Sequence, residues 1–118
     1  MKNLIFIFFG GGAGSLARYF LGKFVHHQIL TTFPIGTLII NIVASFILGI
    51  FVGKYLQNDS LKALIAIGFC GGFSTFSTFS NDTLQLLLSG RIWESFWNVI
   101  LNVTLCLSAT YVGIIIGK

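Results

Sequence analysis

Gly68-Phe69-Cys70-Gly71-Gly72-Phe73-Ser74-Thr75-Phe76-Ser77-Thr78-Phe79-Ser80-Asn81-Asp82 lies inside a long apolar block, yet it reads poorly as the interior of a helix. Glycine costs about 1 kcal/mol per helical position, and Ser and Thr compete with the helix for backbone hydrogen bonds. A break at Gly71-Gly72 would leave half-helices over 61–71 and 75–88. Each is too short to cross a hydrocarbon core about 30 Å thick. Non-helical backbone at membrane depth is tolerated only where it is buried in protein or lines a cavity. Its free carbonyls suit cations and its helix N-termini suit anions. The expected functional site is therefore this break, near the midplane.

The rest of the chain supports a membrane setting. Of 118 residues, 55% are hydrophobic and 8% are charged, against about 25% charged in soluble domains. The apolar residues fall into four blocks over 4–24, 34–56, 61–88 and 96–116. Each is long enough to span the bilayer at 1.5 Å per residue. This predicts an all-α membrane protein, a single four-span domain over 1–118 with both termini on one side. The opening Met1-Lys2-Asn3 and its apolar run resemble a secretory signal, but the apolar character continues past Arg18 and three more spans follow. The net charge of +4 is scattered singly at span ends, which lipid head groups explain without nucleic acid.

The charge balance is weak. Lys2, Lys54, Lys62 and Lys118 fall on the side of the termini; Lys23, Arg91 and an interfacial Arg18 fall opposite. So slight a bias favours termini inside but permits insertion both ways up, and with it an antiparallel dimer. Short connections, His26 to Thr32 and Gln57 to Ser60, join the first three spans. Ser60 suits a helix N-cap and Gly90 a helix terminator. His26-His27 reads as an interfacial polar pair, and Cys70 and Cys106 as small apolar residues without metal-ligand spacing.

Small and polar residues recur every fourth position, hence on one helix face. The rows are Gly10, Gly14, Arg18, Gly22 in span one and Asn41, Ser45, Gly49, Gly53 in span two. The glycines read as close helix packing. Arg18 fits an interfacial or vestibule position. Asn41 either cross-links helices or offers its NH2 group to a passing anion, and the residues alone permit both. Span four carries Asn98, Asn102, Cys106 and Thr110, with Thr104 and Ser108 on a neighbouring row. Interhelical hydrogen bonding explains any one of these; a polar pathway explains the continuous run. Phe73, Phe76 and Phe79 stand three apart among hydroxyls, and positive ring edges could stabilise a small anion. The only acids are Asp59, Asp82 and Glu94, so an enzyme is not expected.

At these residues the chain closely resembles the bacterial fluoride channel family (Fluc, also called CrcB). The resemblance rests on Gly11-Gly12-Ala13-Gly14-Ser15-Leu16-Ala17-Arg18-Tyr19, on Gly36-Thr37-Leu38 through Asn41 to Ser45-Phe46-Ile47-Leu48-Gly49, and above all on Gly68 through Ser80. It implies an antiparallel, dual-topology homodimer in a bacterial inner membrane that passively exports toxic fluoride through pores between subunits. It also implies a central structural sodium ion held by the main-chain carbonyls of Gly71 and Ser74. Phe76, Phe79 and Asn41 would line the fluoride pore with Ser77, Thr78 and Thr110, and Arg18 would stand at its mouth. Asn98 and Asn102 align with the span-four lining, where the family commonly has Tyr and Ser; Cys106 replaces a usually small residue, and Asp82 a usual Glu.

A proton-coupled four-span drug exporter has a similar length, but it needs a membrane-embedded carboxylate. Spans one and two contain none. A purely structural subunit is the remaining alternative. Fluoride efflux separates the three.

Overall fold

The computed structural model describes residues 2–28, 33–54 and 59–118. Helix α1 is Lys2–Gln28 and α2 is Ile35–Lys54. Helix α3 covers 59–73, α4 is Phe76–Leu88 and α5 is Ile92–Gly117. Together α3 and α4 make one span, so four stretches are long and apolar enough to cross a membrane, as the hydropathy blocks predict. The molecule is elongated, 47 × 27 × 23 Å, with its long axis on the scale of a bilayer. Thr31, Thr32, Leu56, Gln57 and Asn58, assigned above to a span end and two loops, lie outside the described residues.

Two expectations are corrected. The helix does not break at Gly71-Gly72: it runs through both to Phe73, and the extended residues are Ser74 and Thr75. Packing explains the shift, because a Cβ at Gly72 would collide with the backbone of Gly11. Gly72 is kept for close approach to α1, and that contact outweighs its helix cost. Ser60 is likewise not an N-cap, since the helix already includes Asp59. Within α3, Lys62–Phe69 winds as a π-helix. Each such turn holds an extra residue, a departure common at functional sites and one that hydropathy does not signal.

The glycine rows pack as expected, and they do so in two pairs. Gly10 and Gly14 on α1 face the backbone of Leu64, Gly68 and Phe69 on α3. Gly49 and Gly53 on α2 meet Thr110, Gly113, Ile114 and Gly117 on α5. Between the pairs, Ile40, Ala44 and Phe73 form a small core, flanked by Ala17, Leu21 and Phe69. Phe69 and Phe73 stack at 5.4 Å and 15°. Large apolar side chains cover much of the outside, including Phe8, Phe20, Leu107 and Ile116, where lipid replaces water.

Gly90 ends α4 as predicted. Its φ of +80° lies in the region that favours glycine. The N–H of Arg91 reaches the Leu86 carbonyl at 2.9 Å and that of Gly90 the Leu87 carbonyl at 3.1 Å, a Schellman closure. The chain then turns into α5, whose first turns carry Trp93, Phe96 and Trp97 in edge-to-face contact. Such rings suit the membrane–water boundary.

Candidate functional site

At the break, Ser74 (φ −92°, ψ 157°) and Thr75 (φ −154°, ψ 126°) are extended. Thr75 caps α4: its Oγ1 accepts the Thr78 N–H at 3.4 Å and lies 2.8 Å from Ser77 Oγ. The N–H of Thr75 would close a helical turn on the Gly71 carbonyl; it is directed instead to Asn41 Oδ1, 3.4 Å away. The neighbouring carbonyls are engaged within the chain. That of Cys70 accepts from Ser74 N–H at 3.0 Å and Ser74 Oγ at 2.8 Å, and that of Gly72 from Arg18 Nε at 3.2 Å. Gly71 is exposed, with open space where a side chain would stand.

A cavity of about 230 Å³ opens beside the break. Asn41 and Ser45 of α2 line it with Ser74, Thr75, Phe76 and Phe79, and Asn102, Val103 and Cys106 of α5 complete the wall. The Phe76 and Phe79 rings lie 5.4 Å apart at 50°, and Phe76 is 76% exposed on the single chain. A larger cavity of about 640 Å³ adjoins it, and Thr75 belongs to both. Arg18, Tyr19, Lys23 and His26 of α1 line this vestibule, with Thr37, Thr78 and Asp82 opposite. Lys23 Nζ stands 5.7 Å from the centre of the Tyr19 ring, and Thr37 Oγ1 donates to Asp82 Oδ2 at 2.8 Å. Two permanent cations against one carboxylate leave a positive vestibule, which raises the local anion concentration.

A continuous line of polar groups runs behind the smaller cavity. Asn41 Nδ2 donates to Asn102 Oδ1 at 3.1 Å, and Asn102 Nδ2 donates to Asn98 Oδ1 at 2.9 Å and to the Asn98 carbonyl at 2.8 Å. Asn98 Nδ2 donates to Thr83 Oγ1 at 2.8 Å, and Thr83 Oγ1 donates to the Phe79 carbonyl at 2.8 Å. Asn98 is 1% exposed and Asn102 5%. These amides cross-link α2, α4 and α5, so hydrogen bonding between helices accounts for both.

The residues singled out from sequence therefore divide. Asn41, Ser74, Phe76, Phe79 and Asn102 gather at one cavity; Arg18 and Thr78 line the vestibule. Ser77, Thr110 and Asn98 line neither of these two cavities. Thr110 Oγ1 donates to the Cys106 carbonyl at 3.0 Å, and Ser108 Oγ to that of Thr104 at 2.8 Å. Thr83 escaped the sequence reading. Its only signal is that it lies one helical turn beyond Phe79, a spacing that carries no message until α5 is docked against it.

Residues 5–114 match the family described as "CrcB-like protein, Camphor Resistance (CrcB)". Among similar proteins, one from Shewanella loihica is 40% identical over 116 residues, covering 96% of this chain and 94% of its own. One from Phocaeicola vulgatus is 42% identical over 117 residues, 97% of each. One from Flavobacterium psychrophilum is 41% identical over 123 residues, 100% of this chain and 98% of its own. Each of the three is named "Fluoride-specific ion channel FluC".

Proposed function

Because the chain belongs to the CrcB-like family, a family of multi-pass membrane ion channels and not of enzymes, we propose that it conducts fluoride across the bacterial inner membrane. The observation that carries this reading is the cavity at the break, where the Asn41 amide faces the paired rings of Phe76 and Phe79 beside a positive vestibule. Arg18 and Lys23 concentrate the anion. Asn41 donates a hydrogen bond as hydration water is shed. Positive ring edges of Phe76 and Phe79 then take the place of the lost shell. Flow is passive, so cytoplasmic fluoride leaves down its own gradient.

The functional unit in this proposal is an antiparallel homodimer. Phe76 and Gly71 are exposed on one chain, and a second copy would enclose both. The carbonyl oxygens of Gly71 and Ser74 suit a structural sodium ion. They are hard donors at a helix break, and the Thr75 N–H that would otherwise occupy the Gly71 carbonyl is held by Asn41. One chain brings only two such oxygens, so the site would be completed by the second copy. Bound there, sodium offsets carbonyl dipoles that would otherwise converge.

The deciding experiment is fluoride-electrode efflux from liposomes containing the purified protein, with chloride as the comparison anion. Fast fluoride release without chloride release is expected. Fluoride release no faster than from empty liposomes would overturn the proposal.

A further inference from the structure

We propose that Thr83 and Asn98 are positioning residues for the anion path: acting through Asn102, they fix which end of the Asn41 amide faces the cavity. This rests on the channel reading. The two ends of the line cannot be reversed. The Thr75 N–H can only donate and the Phe79 carbonyl can only accept. An amide side chain alone can be turned end for end, and only its partners decide its orientation.

The Thr83 hydroxyl has one proton, held by the Phe79 carbonyl at 2.8 Å, so towards Asn98 it can only accept. Asn98 must then present Nδ2 to Thr83 and Oδ1 to Asn102. Asn102 donates to the Asn98 main-chain carbonyl at 2.8 Å, a third fixed acceptor, and to Asn98 Oδ1 at 2.9 Å, so it has only Oδ1 left for Asn41. A reversed Asn98 would set its NH2 against that of Asn102 and compete with the main-chain bond. It lines the cavity but offers an anion no donor. Asn41 is thereby set with Oδ1 on Thr75 and one Nδ2 proton on Asn102, which leaves its second amide proton for the cavity. The opposite orientation would turn a carbonyl oxygen towards the anion. All five links agree in direction, and two members, Thr83 and Asn98, lie outside both cavities.

The test uses Thr83→Val, which keeps the shape and removes the hydroxyl, and Thr83→Ser, which restores it. Efflux is compared per folded protein, normalised by the gel-filtration peak. Loss of one buried hydrogen bond that sets the orientation should slow Thr83→Val about tenfold, while Thr83→Ser stays within about threefold of wild type. Wild-type flux in Thr83→Val, or equal slowing in Thr83→Ser, overturns the assignment. A wild-type protein that passes no fluoride overturns the channel reading instead. The positioning is then read from side-chain amide exchange in ¹⁵N-labelled protein. The Asn102 NH2 should be protected in the wild type and at least about tenfold faster in Thr83→Val. Equal exchange in both overturns it.

Discussion

Asn41, on α2, holds the N–H of Thr75 across the break, 3.4 Å from Oδ1 to nitrogen. The contact ties the start of α4 to a different span, and it frees the Gly71 carbonyl from the bond an unbroken helix would give it. One side chain thus serves both faces of the break.

Replacing Asn41 with Asp separates these duties. An oxygen remains for Thr75, but the donor is lost and a negative charge faces both Asn102 Oδ1 and the cavity. Asn41→Asp should slow fluoride efflux by more than about tenfold, because a like charge opposes the anion where its hydration is shed. Liposome efflux at matched protein density checks this.

Phe76→Ile and Phe79→Ile test the ring edges. Isoleucine fills similar space without a ring quadrupole. Each variant should lose at least about tenfold in fluoride efflux while eluting as the wild-type species, since the 5.4 Å ring pair lies outside the small core. Unchanged flux in both would remove the rings from the mechanism.

Gly49→Ala and Gly71→Ala should differ sharply. A Cβ on Gly49 would sit 3.1 Å from Gly113 Cα and from Ile114 N, and closer still to the Thr110 carbonyl. Separating these backbones should cost about 1–3 kcal/mol, read as a lower unfolding temperature in detergent. At Gly71 a methyl meets nothing of its own chain within 4 Å. A loss of dimer in Gly71→Ala would therefore report crowding by the second copy.

Arg18→Gln should reduce efflux most at low ionic strength. The Debye length shortens from about 30 Å at 0.01 M salt to about 3 Å at 1 M, so steering by a half-buried charge lining an open vestibule fades as salt rises. A deficit that stays constant across that range would mean that Arg18 acts through its 3.2 Å bond to the Gly72 carbonyl rather than through its field.

Sodium is tested by removal. Protein purified and assayed with N-methyl-D-glucamine as the sole cation should lose dimer stability and flux together, and sodium should restore both. Identical behaviour in the two cations would dissociate the Gly71 and Ser74 carbonyls from a structural ion.

The spans were legible because hydropathy needs no tertiary information: residues 4–24 and 96–116 extend in the structure only to Lys2–Gln28 and Ile92–Gly117. Gly90 was legible because one backbone conformation suffices to end a helix. The break is legible but displaced, since propensity counts Gly71-Gly72 as weak while contact between Gly72 and Gly11 carries the helix through to Phe73. Least legible were Asn98 and Asn102. Spacing put them on one face of α5, but only docking against Thr83 and Asn41 decides that they face protein. The π-helical Lys62–Phe69 left no mark in the sequence pattern.

The wall of the cavity at the break consists of amide, hydroxyl, ring, aliphatic and thiol groups. A carrier that harnesses one gradient to drive another must change its own charge during the cycle, and carboxylates and imidazoles are the usual means. None of the lining residues is of that kind. An ion passing this wall would meet neither group; the imidazole and carboxylate of its path, His26 and Asp82, stand in the vestibule, so any exchange of protons would be made before the rings and not between them.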